Sequence, residues 1–316
     1  MKCLNPITIG KEKGKGVHVA CGRCMPCQRN KRRDWSFRLQ EEQKASTNSL
    51  FVTLTYREEE MLIAGEHPTL SKHHLQQFLN KLRKYQDRFW EKRFKEVPSS
   101  SFTEEYIKSK YRIRYYAVGE YGVKGDRPHY HIILFDLAPA MWDKLNEIWS
   151  KGFVHIGKVN DKSIKYTTKY IIGNEGPGPA GSRSDEPKKA QGMQKPFSLK
   201  SNRPGIGESY LTKNIIKYHK KKYEETVKKK KDDVPVVQSR EGYFQKMPDY
   251  YKNKIFNSDA QKHFKEVSVR LGDQITEEAW ERAYKVYGKK AESKLIEHFE
   301  HLNQRLKRNI KNSKSL

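Results

Sequence analysis

The sequence lacks the features of a membrane or secreted protein. No apolar run approaches the about 18 residues that a membrane-spanning helix requires, and the first segment, with Lys2, Asn5 and Pro6, has no apolar signal-peptide core. Cysteine is scarce as well: the 4 cysteines lie within the first 27 residues and cannot crosslink the rest of the chain. We therefore expect a cytoplasmic protein with reduced thiols and no membrane partner.

Other absences narrow the function. The sequence has no Gly-x4-Gly-Lys-Ser/Thr motif, which argues against an internal P-loop ATPase, and no repeat or run of heptads that would indicate a solenoid or a coiled coil. Acidic residues are few, 38 against 64 lysines and arginines, which gives a net charge of +26. Such an excess is typical of a chain that binds a polyanion, above all a nucleic acid.

A pair of histidines lies in the most informative segment. His129 and His131 open an apolar run, Arg127 to Phe135, that is typical of a strand. Because side chains alternate along a strand, both imidazoles point to one face. A preceding strand, Arg112 to Gly122, carries Glu120 and is joined to this run by a Gly-rich turn. Glu120, His129 and His131 therefore form a candidate site for a catalytic Mg²⁺ or Mn²⁺ with open coordination positions.

A short helix is predicted further along the chain, from Asp161 to Gly173. Its Tyr166 and Tyr170 are one helical turn apart, so both phenols can reach one phosphorus atom. A free phenol, with a pKa near ~10, is a poor nucleophile, and a metal-polarised phosphate or the cation of Lys169 would activate it. Each pattern alone is more often structural. Together they favour tyrosine attack on a phosphodiester, with Tyr166, Tyr170 and Lys169 as the catalytic residues.

The cysteines have the spacing of metal ligands. Cys21, Cys24 and Cys27 are three positions apart, and Cys3 would complete a set of four thiolates. A structural Zn²⁺ is the favoured interpretation. An iron–sulfur cluster and four reduced thiols remain alternatives.

Basic residues follow the cysteines. The segment from Gln28 to Lys44 is predicted as a basic helix that grips DNA by its phosphates. Four arginines are the candidate DNA contacts, three of them in this helix: Arg32, Arg33, Arg38 and Arg127.

Periodicity predicts an α+β fold. The expected core elements are a strand at 51–56, a helix at 70–89, strands at 112–122 and 127–135, a helix at 139–149, a strand at 152–157 and the helix at 161–173. This order indicates an antiparallel central sheet of the split-βαβ type with helices on one face. Such a sheet places metal ligands on central strands, while the last helix brings the nucleophile to them.

The chain is divided into four segments by composition. Residues 1–48 form the Cys-rich segment and the basic helix, and residues 49–173 form the nuclease core. Residues 174–207 are predicted as a mobile loop, because the stretch 173–207 holds 7 glycines and 5 prolines without strand or helix periodicity. Residues 208–316 form a basic, mainly helical C-terminal region, with helix 210–223, strand 236–244 and three further helices.

These motifs resemble a known family. The His-x-His strand and the Tyr-x-x-Lys-Tyr helix resemble the HUH endonucleases with two tyrosines, whose core sheet is of the HUH/RRM-like type. More narrowly, the chain resembles the replication initiators of gokushoviruses, single-stranded DNA phages of the microvirus family. The similar segments run from the first residue to about Phe256 and include 1–3, 21–27, 51–56, 119–122, 127–135, 166–170, 203–207, 240–244 and 248–252.

The resemblance implies a rolling-circle replication initiator. Such an enzyme nicks single-stranded origin DNA, keeps a 5′-phosphotyrosine, leaves a 3′-hydroxyl primer for a host polymerase working with a host helicase, and rejoins unit circles. The host bacterial cytoplasm is the expected location. Two other classes remain open: an HUH relaxase or transposase, and a zinc-bearing DNA-binding protein without catalysis.

Overall fold

The computed structural model describes residues 3, 7–9, 17–22, 24–96, 103–122, 126–169, 192–291, 293–298, 300–301 and 304. The chain forms two compact units, one of Arg38–Ser209 and one of Met1–Phe37 with Tyr210–Leu316. The four-segment division made from the sequence remains a prediction. Among the described residues, no helix combines the length and the apolar character needed to cross a membrane.

A five-stranded sheet is the centre of the unit Arg38–Ser209. Its strands are β3 (Ser49–Thr55), β6 (Arg114–Tyr121), β7 (Pro128–Phe135), β8 (Val154–Lys158) and β9 (Phe197–Lys200). All pairings are antiparallel, and the spatial order is β8-β3-β7-β6-β9. The first four strands have the order of a split-βαβ sheet, which is consistent with the HUH/RRM-like type. The predicted α+β class with an antiparallel central sheet is confirmed.

One face of the sheet carries the main hydrophobic core. In β3 the side chains alternate, and Leu50, Val52 and Leu54 are buried against helix α2 (Lys72–Glu96). That helix contributes Leu75, Phe78, Leu79 and Leu82, whose spacing places them on one side of the helix. Helix α4 (Leu145–Trp149) adds Leu145, Ile148 and Trp149 to the same core.

Helix α5 (Asp161–Lys169) lies against the opposite face of the sheet. Its Tyr166 contacts His131, which alternates along β7 with Tyr130 and Ile132 of the main core. The prediction that all helices lie on one face is therefore wrong for α5. The reason is that the ligand-bearing positions of β7 face away from α2 and α4, so a helix that brings a tyrosine to them must lie on their side.

Three further elements differ from the sequence expectation. The predicted helix 139–149 is a 3-10 turn at Pro139–Met141 followed by the shorter α4. The predicted loop 174–207 contains strand β9, which pairs with β6 and completes the sheet. Residues 170–191, including Tyr170 and most of that loop, lie outside the described residues. Small elements not predicted are β1 (Ile7–Ile9), β2 (Val17–Val19), β4 (Leu62–Ala64), β5 (His67–Thr69) and α3 (Glu104–Lys110).

The second unit has a smaller core of its own. It contains the first half of α1 (Met25–Ala45), helices α6 (Lys213–Lys228), α7 (Asp249–Ile255) and α8 (Ser258–Tyr287), and the hairpin of β10 (Val236–Gln238) and β11 (Phe244–Lys246). Phe37 meets Tyr251 and Tyr210 edge to face, and Val237, Ile255 and Phe264 fill the remaining space. The basic helix and the mainly helical C-terminal region are as predicted.

Candidate metal and nucleophile site

The hairpin of β6 and β7 places the three predicted metal ligands together. Glu120 on β6 is directly opposite His129 on β7, and His131 follows two residues later on the same face. The connection is closed by a hydrogen bond from the Gly122 amide to the Arg127 carbonyl oxygen, at 2.9 Å. Asp126 adopts a left-handed backbone, with φ of 46°, which asparagine and aspartate tolerate in turns.

The ligand atoms converge on one carboxylate oxygen. Glu120 Oε1 lies 2.7 Å from His129 Nε2 and 2.9 Å from His131 Nε2. The side chain of Glu120 is only 4% exposed, that of His131 9% and that of His129 18%. The three residues offer one oxygen and two nitrogens within 4.8 Å of one another, so they can hold a metal ion.

The far nitrogen of each imidazole has its own partner. His129 Nδ1 donates to the carbonyl oxygen of Arg127 at 3.1 Å. His131 Nδ1 lies 3.0 Å from the hydroxyl of Thr53 on β3. Partners of this kind orient a ligating histidine and keep the proton on Nδ1, which leaves the Nε2 lone pair for a metal. Both histidines therefore fit the requirement of a metal ligand.

Burial and ion pairing oppose each other within the cluster. Burial raises the pKa of Glu120, but hydrogen bonds from His129 and His131 outweigh it and hold the pKa below its ordinary value. Burial lowers the pKa of His129, yet the hydrogen bond and charge of Glu120 raise it above the ordinary value. For His131 burial dominates, and the pKa falls below the ordinary value. The site thus favours an ionised carboxylate and a neutral His131.

Tyr166 stands next to these residues. Its hydroxyl donates to Glu120 Oε1 at 3.2 Å and lies 3.5 Å from His131 Nε2. The phenol ring meets the His131 ring at right angles, with centroids 5.0 Å apart, and remains 39% exposed. Lys169 is the last residue of α5. Tyr170 follows directly and lies outside the described residues, so its catalytic role, like that of Lys169, remains a prediction.

Two residues near the site have no motif in the sequence. Phe51 stacks on His131 with an interplanar angle of 6° and centroids 5.4 Å apart, and Thr53 bonds its Nδ1. Both alternate with the buried residues of β3, so the strand pattern predicts the face they occupy. What the pattern does not give is the pairing of Thr53 with His131, which depends on the register of β3 and β7.

The four cysteines converge in the other unit. The sulfur atoms of Cys3, Cys21, Cys24 and Cys27 lie within 4.8 Å of one another. Backbone amides point at two of them: the Cys21 amide lies 3.2 Å from Cys3 Sγ and the Cys24 amide 3.3 Å from Cys21 Sγ. Burial, together with hydrogen bonding to Cys24, raises the pKa of the Cys27 thiol. The group has the donor set and amide contacts of a four-thiolate metal site.

The four predicted DNA-contacting arginines differ in their surroundings. Arg38 donates through Nε to the Ile206 carbonyl oxygen at 2.9 Å, and Arg127 pairs with Glu58 at 3.0 Å. Arg33 lies 6.0 Å from the centre of the Tyr243 ring. Burial lowers the pKa of Arg32, with a smaller contribution from nearby Arg29. Their role in DNA binding remains a prediction.

Comparison with known proteins places the core in a replication family. The family model of replication-associated proteins of the ORF2 type matches residues 49–175. The chain is 30% identical over 169 residues to replication-associated protein ORF2 of Spiroplasma virus 4, covering 48% of this chain and 47% of the relative. It is 25% identical over 199 residues to replication-associated protein VP4 of Bdellovibrio phage phiMH2K, covering 54% and 57%.

A third relative is replication-associated protein ORF4 of Chlamydia phage 1, with 24% identity over 172 residues that cover 48% of this chain and 37% of the relative. The resemblance to microvirus-type replication initiators is confirmed. This chain spans about half the length of these curated relatives, between 37% and 57%. No solved structure matches the chain.

Proposed function

We propose that this replication initiator cuts single-stranded phage DNA at the origin with a tyrosine nucleophile. The observation that carries the proposal is the contact of the Tyr166 hydroxyl with Glu120 and His131, at 3.2 and 3.5 Å. A phenol beside a metal-binding group is the arrangement that activates tyrosine for attack on phosphorus. The net charge of +26 supports DNA as the substrate.

The residues of the site fit a hard divalent cation. Glu120 Oε1, His129 Nε2 and His131 Nε2 would hold it, and the set contains no thiolate, which favours Mg²⁺ or Mn²⁺ over a structural zinc. Such an ion supplies Lewis acidity, withdrawing charge from a phosphate oxygen and fixing the phosphate in place.

Tyr166 performs the cut in this scheme. Its hydrogen bond to Glu120 Oε1 orients the phenol and gives its proton an acceptor. The phenolic oxygen forms a bond to phosphorus while the bond from phosphorus to the 3′-oxygen breaks, and the departing oxygen takes up a proton. The products are a 5′-phosphotyrosine on the protein and a free 3′-hydroxyl. One phosphodiester is exchanged for another, so no ATP is needed.

The remaining assignments follow the sequence. Tyr170 is the second nucleophile, which cuts the regenerated origin so that the released 3′-hydroxyl can close a unit circle, and Lys169 supports the charge that develops. A host polymerase and helicase extend the 3′-hydroxyl in the host bacterial cytoplasm. The four cysteines hold a structural Zn²⁺.

A covalent-adduct assay tests the proposal. Labelled single-stranded fragments of the phage genome are incubated with protein and Mn²⁺ or Mg²⁺, then separated on a denaturing gel. The parent protein should give a protein-sized labelled band. Tyr166→Phe removes the nucleophilic oxygen and keeps the ring, and the double variant Tyr166→Phe/Tyr170→Phe should give no band.

Tyr218→Phe is the matched control, because Tyr218 is an exposed helical tyrosine of the other unit. It should form the adduct like the parent. An undiminished band from the double variant would show that another group attacks phosphorus, and the tyrosine assignment would be abandoned.

A further inference from the structure

A cavity of about 500 Å³ lies at the opposite end of the central sheet from Glu120. It is formed by residues of α2 and α3, the segment that enters β6 and the segment that leaves β9. Arg114 lines the cavity and Glu120 lies six residues later on β6, a separation of about 20 Å at about 3.4 Å per residue. The cavity is therefore separate from the metal and nucleophile site.

Its lining is strongly basic. Six cationic side chains contribute, Arg83, Lys108, Arg112, Arg114, Lys200 and Arg203, and the carboxylate among the lining residues is Asp87. Arg114 is paired with Glu42 and Lys108 with Glu104, both from outside the lining. Positive charge still exceeds negative charge after these pairs are counted. A cleft lined by one sign of charge concentrates ligands of the opposite sign.

Aromatic rings lie among these cations. Trp90 and Tyr111 have centroids 5.0 Å apart with an angle of 36° between their planes, and both line the cavity. The Arg83 guanidinium lies 5.2 Å from the centre of the Tyr115 ring. Rings beside cations suit a ligand that has a flat base and a phosphate, because bases stack on aromatic side chains while arginine and lysine bind phosphate oxygens.

We propose that this cavity binds a nucleotide unit, with its base against Trp90 and Tyr111 and its phosphate at Arg112 and Arg203. The volume lies within the about 300–1,000 Å³ of ligand pockets. A free nucleotide and one residue of a DNA strand share this chemistry. For the strand the inference rests on the proposed function, since a second grip on the strand about 20 Å from the scissile phosphate would hold the DNA during cleavage.

The test compares two double variants of the full chain. Arg112→Gln/Arg203→Gln removes two exposed charges of the cavity, and Lys81→Gln/Lys84→Gln removes two exposed charges of α2 outside it. Binding of a labelled single-stranded oligonucleotide is measured by fluorescence anisotropy at several salt concentrations. The cavity variant should bind at least several-fold more weakly than the control variant, with a salt slope lower by about 0.7 for each lost phosphate contact. Equal losses in the two variants would overturn the proposal.

Tryptophan fluorescence distinguishes the two sources of the nucleotide. Quenching by thymidine monophosphate that disappears in Trp90→Phe identifies a free nucleotide as a ligand. Quenching by an oligonucleotide alone, again lost in Trp90→Phe, identifies a DNA strand. Quenching that persists in Trp90→Phe, or no quenching by either probe, contradicts the assignment.

Adduct formation by the same proteins at saturating DNA separates this inference from the proposed function. If the parent protein forms no adduct while the cavity variant binds more weakly than its control, the proposed function fails and the cavity assignment stands. If all variants form the adduct and bind alike, the cavity assignment fails alone.

Discussion

Thr53→Val tests whether the contact at the far side of His131 prepares a metal ligand. The substitution preserves the shape of the side chain and removes the hydroxyl 3.0 Å from His131 Nδ1. Because His131 is 7% exposed, its Nδ1 hydrogen then lacks an acceptor, and the tautomer with a free Nε2 is less favoured. Loss of such a partner typically lowers metal affinity by 10- to 100-fold, about 1.4 to 2.7 kcal/mol.

Mn²⁺ binding to the purified protein, followed by electron paramagnetic resonance or calorimetry, measures this change directly. Thr55→Val is the matched control. Thr55 lies two residues further on the same face of β3, and its hydroxyl bonds the Phe153 carbonyl oxygen and no ligand. The control should bind Mn²⁺ like the parent protein. Unchanged affinity in Thr53→Val, or an equal loss in both variants, would refute the role given to the Thr53 hydroxyl.

Four other outcomes are expected. EDTA or His129→Ala should abolish adduct formation while oligonucleotide binding is largely kept, because affinity comes mainly from lysine and arginine; full cleavage in EDTA would contradict the metal site. Glu42→Gln should lower the free energy of unfolding by about 3 kcal/mol in urea, because it leaves Arg114, only 11% exposed, without its carboxylate; Glu41→Gln, beside it in α1, is the control. Burial raises the pKa of Asp136 to about 6, so the folded state holds a proton that the unfolded state releases, and stability should fall by about 1 kcal/mol as pH rises from about 4 to about 7; thermal melts of Asp136→Asn should lack this fall. Cys24→Ser should lower both the zinc content, expected at about one per chain by elemental analysis, and the melting temperature, and a stable zinc-free parent would contradict this.

Local patterns predict much of the fold. The alternation in β3 and the helical spacing in α2 follow directly from which face of each element is buried, and both elements occur close to their predicted bounds. Strand β9 was missed, because its 4 residues have an intermediate exposure throughout and follow a stretch rich in glycine and proline. A short edge strand is fixed by its pairing with β6, and one sequence does not contain that pairing.

The metal group could be predicted because its geometry is local. Strand alternation and one hairpin bring Glu120 to His129 and His131 without further knowledge of the fold. The approach of Tyr166 depends instead on which face α5 covers, and the sequence predicts only the helix itself. The basic cavity could not be predicted, because its lining comes from four separate segments that meet only in the folded unit.

The position of all three ligands on one hairpin has a consequence for the order of folding. Glu120 and His131 are eleven positions apart, so closing this part of the chain costs little entropy, whereas Tyr166 arrives from a later crossover. On a ribosome the ligand set can assemble as soon as β6 and β7 emerge. Metal capture can then precede the docking of the nucleophile helix, so that a chain interrupted before α5 would bind the ion and be unable to cut.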